Sequence, residues 1–337
     1  MDVMQFVPIL VVGFATSLGL TPLSRQIAMR FGVVDKPNQR KIHSDHKPLM
    51  GGLAIYLAFA LSLLLFSPPQ HLVELGAILS GAAFLAVIGL WDDRYGLSIR
   101  TRLAAMVIAA FVLVAVGIQI RLFKNPLLDI PLTVLWVLII TNALNFLDNM
   151  DGLAAGVTGI AAAFFVVIGF TEQLPLVSSL AAALLGSAVG FLVYNFNPSS
   201  TFMGDMGALV LGFVLAVLGI KLKFGVQQAD ITWMIPLLVL ALPIFDIHLV
   251  VITRLLEGRS PGQAGKDHTS HRLMSIGFSQ RQSLFILYGA CILFGAIGLL
   301  VGAAPRDIAL RMGIAALVFL GALFVIMMLV RRRFQKV

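Results

Sequence analysis

The sequence is short of cysteine and of charge. Cys291 is the only thiol in 337 residues, which excludes an intrachain disulfide and a metal site built on several thiolates. Lying within an apolar run, it reads as a packing residue. Charged residues make up 12% of the chain and hydrophobic ones 59%, with a mean hydropathy of +0.98. Soluble domains carry roughly a quarter charged residues, so a soluble globular protein is excluded. Low-complexity tracts and clear short repeats are also missing. The formal net charge is +8, yet the cations are spread over several short loops without a recognisable nucleic-acid-binding module, so no nucleic-acid partner is expected.

What the chain has instead is long apolar runs. A membrane span needs about 20 mostly apolar residues. Segments of that kind fall at 3–22, 50–67, 72–91, 103–119, 131–147, 153–170, 174–194, 207–220, 232–253, 282–302 and 306–330. The expected fold is all-α and polytopic, with about eleven transmembrane helices, of which 207–220 is the least secure because it is short. No Lys or Arg precedes the first run and no convincing small-residue cleavage site accompanies it, so it reads as a retained helix rather than a signal peptide.

Positive loops stay cytoplasmic, and an N-terminus outside gives the cleaner split. It leaves Arg121, Lys124, Lys221, Lys223, Arg306 and Arg311 at the outer face and the other 18 of the 24 Lys and Arg residues inside. That face also receives Asp92, Asp93, Asp148, Asp151 and Asp205. The expectation is a multi-pass protein of the plasma or inner membrane with a cytoplasmic C-terminus and a cytoplasmic active site. It forms a single transmembrane domain over 1–337, whose functional loops are 23–50, 92–102, 142–152, 195–206 and 254–281.

Carboxylates gathered at helix ends beside many cations suggest a site for a phosphorylated, metal-bound substrate. Asp92 and Asp93 sit at the C-terminal end of a helix, where the helix dipole disfavours anions. Either they form a solvated turn at the membrane edge, or a cation or a catalytic task retains them. Arg94, Arg100 and Arg102 are nearby candidates for binding phosphate. NALNFLDNMDGLAAG spaces Asn142, Asn145, Asp148 and Asp151 three residues apart, near one helical face. A lone amide there would be packing glue, but four polar groups at this spacing are harder to dismiss.

In NFNPSSTFMGDMGA, Gly204 and Gly207 flank Asp205 and leave room for a diphosphate and its metal, and Mg²⁺ suits such an oxygen-rich setting. Phe202 either stacks on a base or packs. Asp246 and His248 lie within an expected span and stay unassigned, since pairing with loop cations such as Arg254 explains them equally well. RLLEGRSPGQAGKDHTSHRL brings His268, His271 and Arg272 together. No third His or Cys accompanies the two imidazoles, so zinc is not expected. Gripping phosphate or sugar oxygens suits them better. The first inside loop adds Asp35, Arg40, Lys41, His43 and Lys47.

Taken in order, DKPNQRKIH with PLMGG, the Asp92-Asp93 pair, NALNFLDNMDGLAAG, FMGD and HTSHRL resemble the polyprenyl-phosphate N-acetylhexosamine-1-phosphate transferases, within glycosyltransferase family 4. The first and last of these motifs look most like the undecaprenyl-phosphate GlcNAc-1-phosphate branch. Thr269 and Ser270 stand where the family often has a denser histidine run, and Ala208 where it often has serine.

The resemblance implies transfer of an N-acetylhexosamine 1-phosphate from a UDP-N-acetylhexosamine to a polyprenyl phosphate lipid, with release of UMP. This would be the first membrane step of cell-envelope glycan synthesis, with Mg²⁺, or Mn²⁺ in its place, as cofactor. It also implies roles: Asp205 and Asn145 on the metal, Asp92 or Asp93 on the lipid phosphate, and Asp151 with Phe202 on uracil. Lys47, Arg102, Asp148, His268, His271 and Arg272 then contact the remaining substrate groups. Direct attack by the lipid phosphate is preferred to a covalent Asp intermediate, and a homodimer is compatible with the reading. The competing class is an ion-coupled transporter with intramembrane carboxylates, which would place charges near the midplane and show two related halves.

Overall fold

Several helix boundaries can be traced to local chemistry. In this computed structural model, residues 3–35, 47–67, 69–222, 229–263 and 265–334 are described. Arg40, Lys41 and His43 of the first inside loop lie outside them. Helix α1 (Val7–Phe31) ends at Gly32, whose φ of 68° lets its N–H turn back onto the carbonyls of Ala28 and Met29, the usual left-handed stop. A two-residue antiparallel pair, β1 (Val34–Asp35) and β2 (Lys47–Pro48), follows. Then come α2 (Gly51–Phe66), α3 (Leu72–Tyr95) and α4 (Ile99–Ala115). Ser98 caps α4 by accepting the Thr101 N–H. Asn125 caps α5 (Pro126–Leu147), which has proline in its first turn, where the missing N–H costs nothing. Helices α6 (Leu153–Thr171), α7 (Pro175–Asn195) and α8 (Gly204–Lys221) complete the first of two compact units, which spans residues 1–221.

In this unit α8 packs against α2, α3 and α5, while α1 packs against α2 and α7, and α6 against α7. Every residue of α8 from Met206 through Leu218 is buried, as expected of a helix that is apolar all round. The segment that looked least secure in sequence is therefore the centre of the unit.

The second unit, residues 222–337, contains α9 (Ala229–Thr232), α10 (Met234–Val239), α11 (Ala241–Leu256), α12 (Thr269–Ser275), α13 (Gln280–Ala303) and α14 (Arg306–Phe334). Here the sequence expectation needs correcting, because 232–253 is not one continuous helix. Pro243 has no N–H to give the Val239 carbonyl, and its ring crowds that oxygen; the helix divides at Leu240. Helix α13 starts on a reciprocal capping box between Ser279 and Gln282 and packs against α10, α11, α12 and α14.

Among the described residues, eight helices, α1, α3, α5, α6, α7, α8, α13 and α14, are long and apolar enough to cross a membrane, and α2 is a shorter apolar helix. The protein is thus a multi-pass, essentially all-α membrane protein. Trp91 and Tyr95, 56% and 68% exposed, flank the acidic end of α3 in the manner of interfacial aromatics.

Candidate active site

The acidic end of α3 meets the first turn of α8. Asp93 accepts the backbone N–H groups of Asp205 (2.9 Å) and Met206 (3.3 Å), one on each carboxylate oxygen. It caps α8 from 112 positions away in sequence and so answers the orphan donors of a helix N-terminus. Gly204, with φ of 69°, turns the chain into that helix. Close approach is essential here: a Cβ on Gly89 would lie 2.4 Å from Met206 N, and one on Gly52 2.2 Å from Gly207 N. Backbone bonds from Gly51 to Phe202 O (3.0 Å), Gly52 to Met203 O (2.9 Å) and Phe202 to Pro48 O (2.9 Å) hold the FMGD segment against the start of α2.

Asp205 is thereby fixed with its side chain partly open. Its Oδ1 accepts Asn145 Nδ2 at 2.6 Å, and its Oδ2 lies 3.5 Å from Arg102 Nη1. The same Arg102 nitrogen is 3.0 Å from Asp92 Oδ2. Asp92 Oδ1 accepts the Leu97 N–H at 2.6 Å, whereas its buried Oδ2 has no well-directed hydrogen bond among the described residues. Asp148 follows the last residue of α5. Burial first, then the charges of Asp205 and Asp151, push it up to about 7. Asn142 points elsewhere: its Nδ2 donates to Leu138 O (2.8 Å) and lies 3.1 Å from Met106 Sδ, which makes it the packing amide.

A second polar nest adjoins the FMGD segment. Asp151 accepts Ser199 N (3.0 Å) and Ser199 Oγ (2.8 Å) and, more weakly, Asn197 Nδ2 (3.3 Å). Lys47 Nζ donates to Ser199 Oγ at 2.8 Å, lies 3.7 Å from Asp151 Oδ2 and sits 4.8 Å from the centre of the Phe202 ring. Buried Asn195 bridges the Gly152 N–H and the Thr201 carbonyl, each at 3.1 Å. Ser199 and Thr201 were not singled out in the sequence; the only available signal was the polar run NPSST between two spans.

This donor set fits a hard divalent cation. Asp205, Asp92 and Asn145 offer oxygens, and one of them, Asp92 Oδ2, is buried without a directed donor. No three His, Cys, Asp or Glu side chains among the described residues form a metal cage of their own. Mg²⁺ commonly needs only one or two carboxylates and completes its shell with substrate phosphates and water.

The second unit holds the histidines. Asp246, 1% exposed, lies 2.8 Å from His268 Nδ1 through Oδ2 and accepts both the N–H and the hydroxyl of Thr269 at 2.7 Å. The His268 and His271 ring centres are 5.7 Å apart. Burial first, then the neighbouring His268, pull His271 down to about 4. It is neutral at pH 7, and its buried Nδ1 has no hydrogen-bond partner among the described residues.

Arg272 differs from the expectation of direct substrate contact. It is fully buried, and its three nitrogens donate to Asp267 O (2.9 Å), Met327 O (2.6 Å) and Thr253 Oγ1 (2.6 Å). The guanidinium ties α12 to α11 and α14. Nearby, Asp267 meets Arg254 (2.9 Å), Arg259 (2.8 Å) and Arg331 (3.1 Å). Burial alone would raise the Asp267 carboxyl, but these arginines together hold it at about 2.

A depressed histidine has a clear sign in linkage. The fold favours neutral His271, so its contribution to stability is complete above the unfolded value of about 6.5 and is lost as pH falls toward about 4. Nitrogen-15 NMR of the histidine rings is expected to place the His271 midpoint near 4. A midpoint near 6.5 would refute the buried, neutral assignment.

An all-helical multi-pass membrane protein with carboxylates, an amide and cations converging at helix ends has the form of a membrane-embedded enzyme of phosphorylated substrates. The comparisons make that specific. The family model for glycosyl transferase family 4 matches residues 75–223, the stretch that carries every acidic residue of the first unit's site. A probable undecaprenyl-phosphate N-acetylglucosaminyl 1-phosphate transferase of Bacillus subtilis (strain 168) is 32% identical, over 96% of this chain and 93% of its own. A decaprenyl-phosphate N-acetylglucosaminephosphotransferase of Mycolicibacterium smegmatis is 32% identical, over 87% of this chain and 82% of its own. The undecaprenyl-phosphate alpha-N-acetylglucosaminyl 1-phosphate transferase of Escherichia coli (strain K12) is 28% identical, over 82% and 78%. The chain belongs to glycosyl transferase family 4.

Proposed function

We propose that this protein transfers N-acetylglucosamine 1-phosphate from UDP-N-acetylglucosamine to a polyprenyl phosphate and releases UMP. The observation that carries the proposal is Asp205, fixed at the first turn of α8 by the Asp93 cap and shared between Asn145 and Arg102. The names of the relatives supply the acceptor class and the sugar. The ion-coupled transporter reading gains no support from them.

In this proposal Asp205 and Asn145 hold Mg²⁺, which when bound neutralises the diphosphate charge that develops as UMP leaves. Arg102 adds a second, fixed positive charge beside the same carboxylates. Asp92, whose Oδ1 is held by the Leu97 N–H and whose Oδ2 is paired with Arg102, is assigned to the acceptor phosphate. An acceptor still carrying its second proton, with a pKa of about 6, can pass that proton to Asp92 before attacking the β-phosphorus directly. Asp93 is assigned to positioning, because both of its oxygens already hold α8. Asp151, Ser199, Lys47 and Phe202 form the nucleoside end, where Phe202 stacks on uracil and Lys47 is neutralised by Asp151. Asp148 is a substrate contact beside the carboxylates. From the second unit, His268 and His271 are assigned to phosphate and sugar oxygens, and Arg272 to holding them in place.

The proposal keeps the eleven-span reading with the N-terminus outside, one transferase domain, and an active face toward the cytoplasm of the plasma or inner membrane. The excess of Lys and Arg on that face supports the orientation.

A site that hydrogen-bonds the acetamido group leaves buried donors unpaired when that group is missing. UMP release with polyprenyl phosphate and UDP-N-acetylglucosamine is therefore expected to exceed that with UDP-glucose by on the order of 10⁴-fold in kcat/KM. Comparable values for the two donors would defeat the sugar assignment.

A further inference from the structure

We infer that Asp246 is a positioning residue for this reaction, fixing the ring of His268 in the tautomer that keeps its proton on Nδ1. The role of His268 rests on the proposed function; the tautomer does not. Asp246 sits in α11, 22 positions before His268, and is buried to 1% exposure.

Its two oxygens have different tasks. Oδ1 takes both donors of Thr269, the backbone N–H and the hydroxyl, each at 2.7 Å. That oxygen holds the first residue of α12 and with it the direction of the short helix that carries His271 and Arg272. Oδ2 lies 2.8 Å from His268 Nδ1. A carboxylate offers only lone pairs, so the shared proton belongs on the imidazole. The ring then presents Nε2 on its opposite edge with its orientation set. An acid that orients a histidine through Nδ1 is a recurring device for fixing which nitrogen works.

The arginines around it are engaged elsewhere, so Oδ2 of Asp246 is left to His268. Asp267, one residue before His268, is taken by Arg254, Arg259 and Arg331, and Arg272 turns to Asp267 O, Met327 O and Thr253. These four arginines thus have partners of their own.

Asp246→Asn separates positioning from bulk. The amide oxygen must stay on Thr269, which offers two donors, so the NH₂ group faces His268 Nδ1 and can only donate to it. The proton of His268 is thereby forced to Nε2.

The test uses the full-length protein, labelled with nitrogen-15 in its six histidines and held in detergent micelles, with His268→Gln identifying the resonance. In the unsubstituted protein the His268 Nδ1 is expected to be protonated, and in Asp246→Asn it is expected to show the shift of a bare, lone-pair nitrogen. Donor kcat/KM is expected to fall about 10- to 100-fold in the variant, with the KM for polyprenyl phosphate unchanged. An unprotonated Nδ1 in the unsubstituted protein overturns the inference even if the variant fails to fold. So does an Asp246→Asn spectrum with Nδ1 still protonated. If the unsubstituted protein releases no UMP, the proposed function falls, while the nitrogen shifts still decide the tautomer.

Discussion

Asp205→Asn is expected to lower turnover by on the order of 10²–10³-fold, with the helices still assembled. The substitution keeps the shape of the side chain and its place in the first turn of α8. It removes the one negative charge that Asn145 and Arg102 are arranged around, and an amide oxygen is a poorer ligand for a hard divalent cation. Activity of the unsubstituted enzyme should vanish with chelator and return with Mg²⁺ or Mn²⁺. The variant should need much more metal for half-maximal rate. Full activity in chelator, or an unchanged metal requirement in Asp205→Asn, would remove Asp205 from the metal.

The second large effect is expected from a residue without any chemistry. Gly89→Ala puts a methyl group 2.4–2.6 Å from Met206 N, Met206 Cα and the Asp205 carbonyl carbon. These are backbone atoms of a capped helix start and cannot swing aside as a side chain would. Overpacking of this kind costs about 1–3 kcal/mol. A shift of about 1 Å in a catalytic group can cost about 100-fold in rate. Gly89→Ala is therefore expected to lose about 100-fold in kcat, with a lowered thermal midpoint and a KM for UDP-N-acetylglucosamine nearly unchanged. Gly76→Ala, a position on the same helix with open space around it, is the comparison; equal rates for the two variants would contradict the account.

The sequence carried the apolar runs and the order of the acidic motifs, because both are local properties. A span is recognised from about 20 consecutive residues, and an Asp at the end of one is conspicuous wherever its partners lie. The division of 232–253 at Leu240 was open to the same local reasoning, since Pro236 and Pro243 stand in plain view, but hydropathy alone ran across them.

Pairings between distant segments were not legible. Nothing near Asp93 says that it caps a helix beginning at Gly204. Nothing near Asp151 names Ser199 as its partner, 48 positions on. Arg272 looked like a substrate cation because arginine beside histidines usually signals anions. Its enclosure depends on Met327 and Thr253, contributed by two other helices. Asp246 stayed unassigned for the same reason, as its meaning lies in Thr269 and His268.

Arg331, in the last turn of α14, reaches Glu257 at 3.0 and 3.1 Å and Asp267 at 3.1 Å. During synthesis these two acids are made more than sixty residues before the cation that completes their set. The histidine loop accordingly finishes its assembly only when the end of α14 has left the ribosome, and an interrupted translation product ending before residue 331 would carry all of its acidic motifs into the bilayer without that final latch.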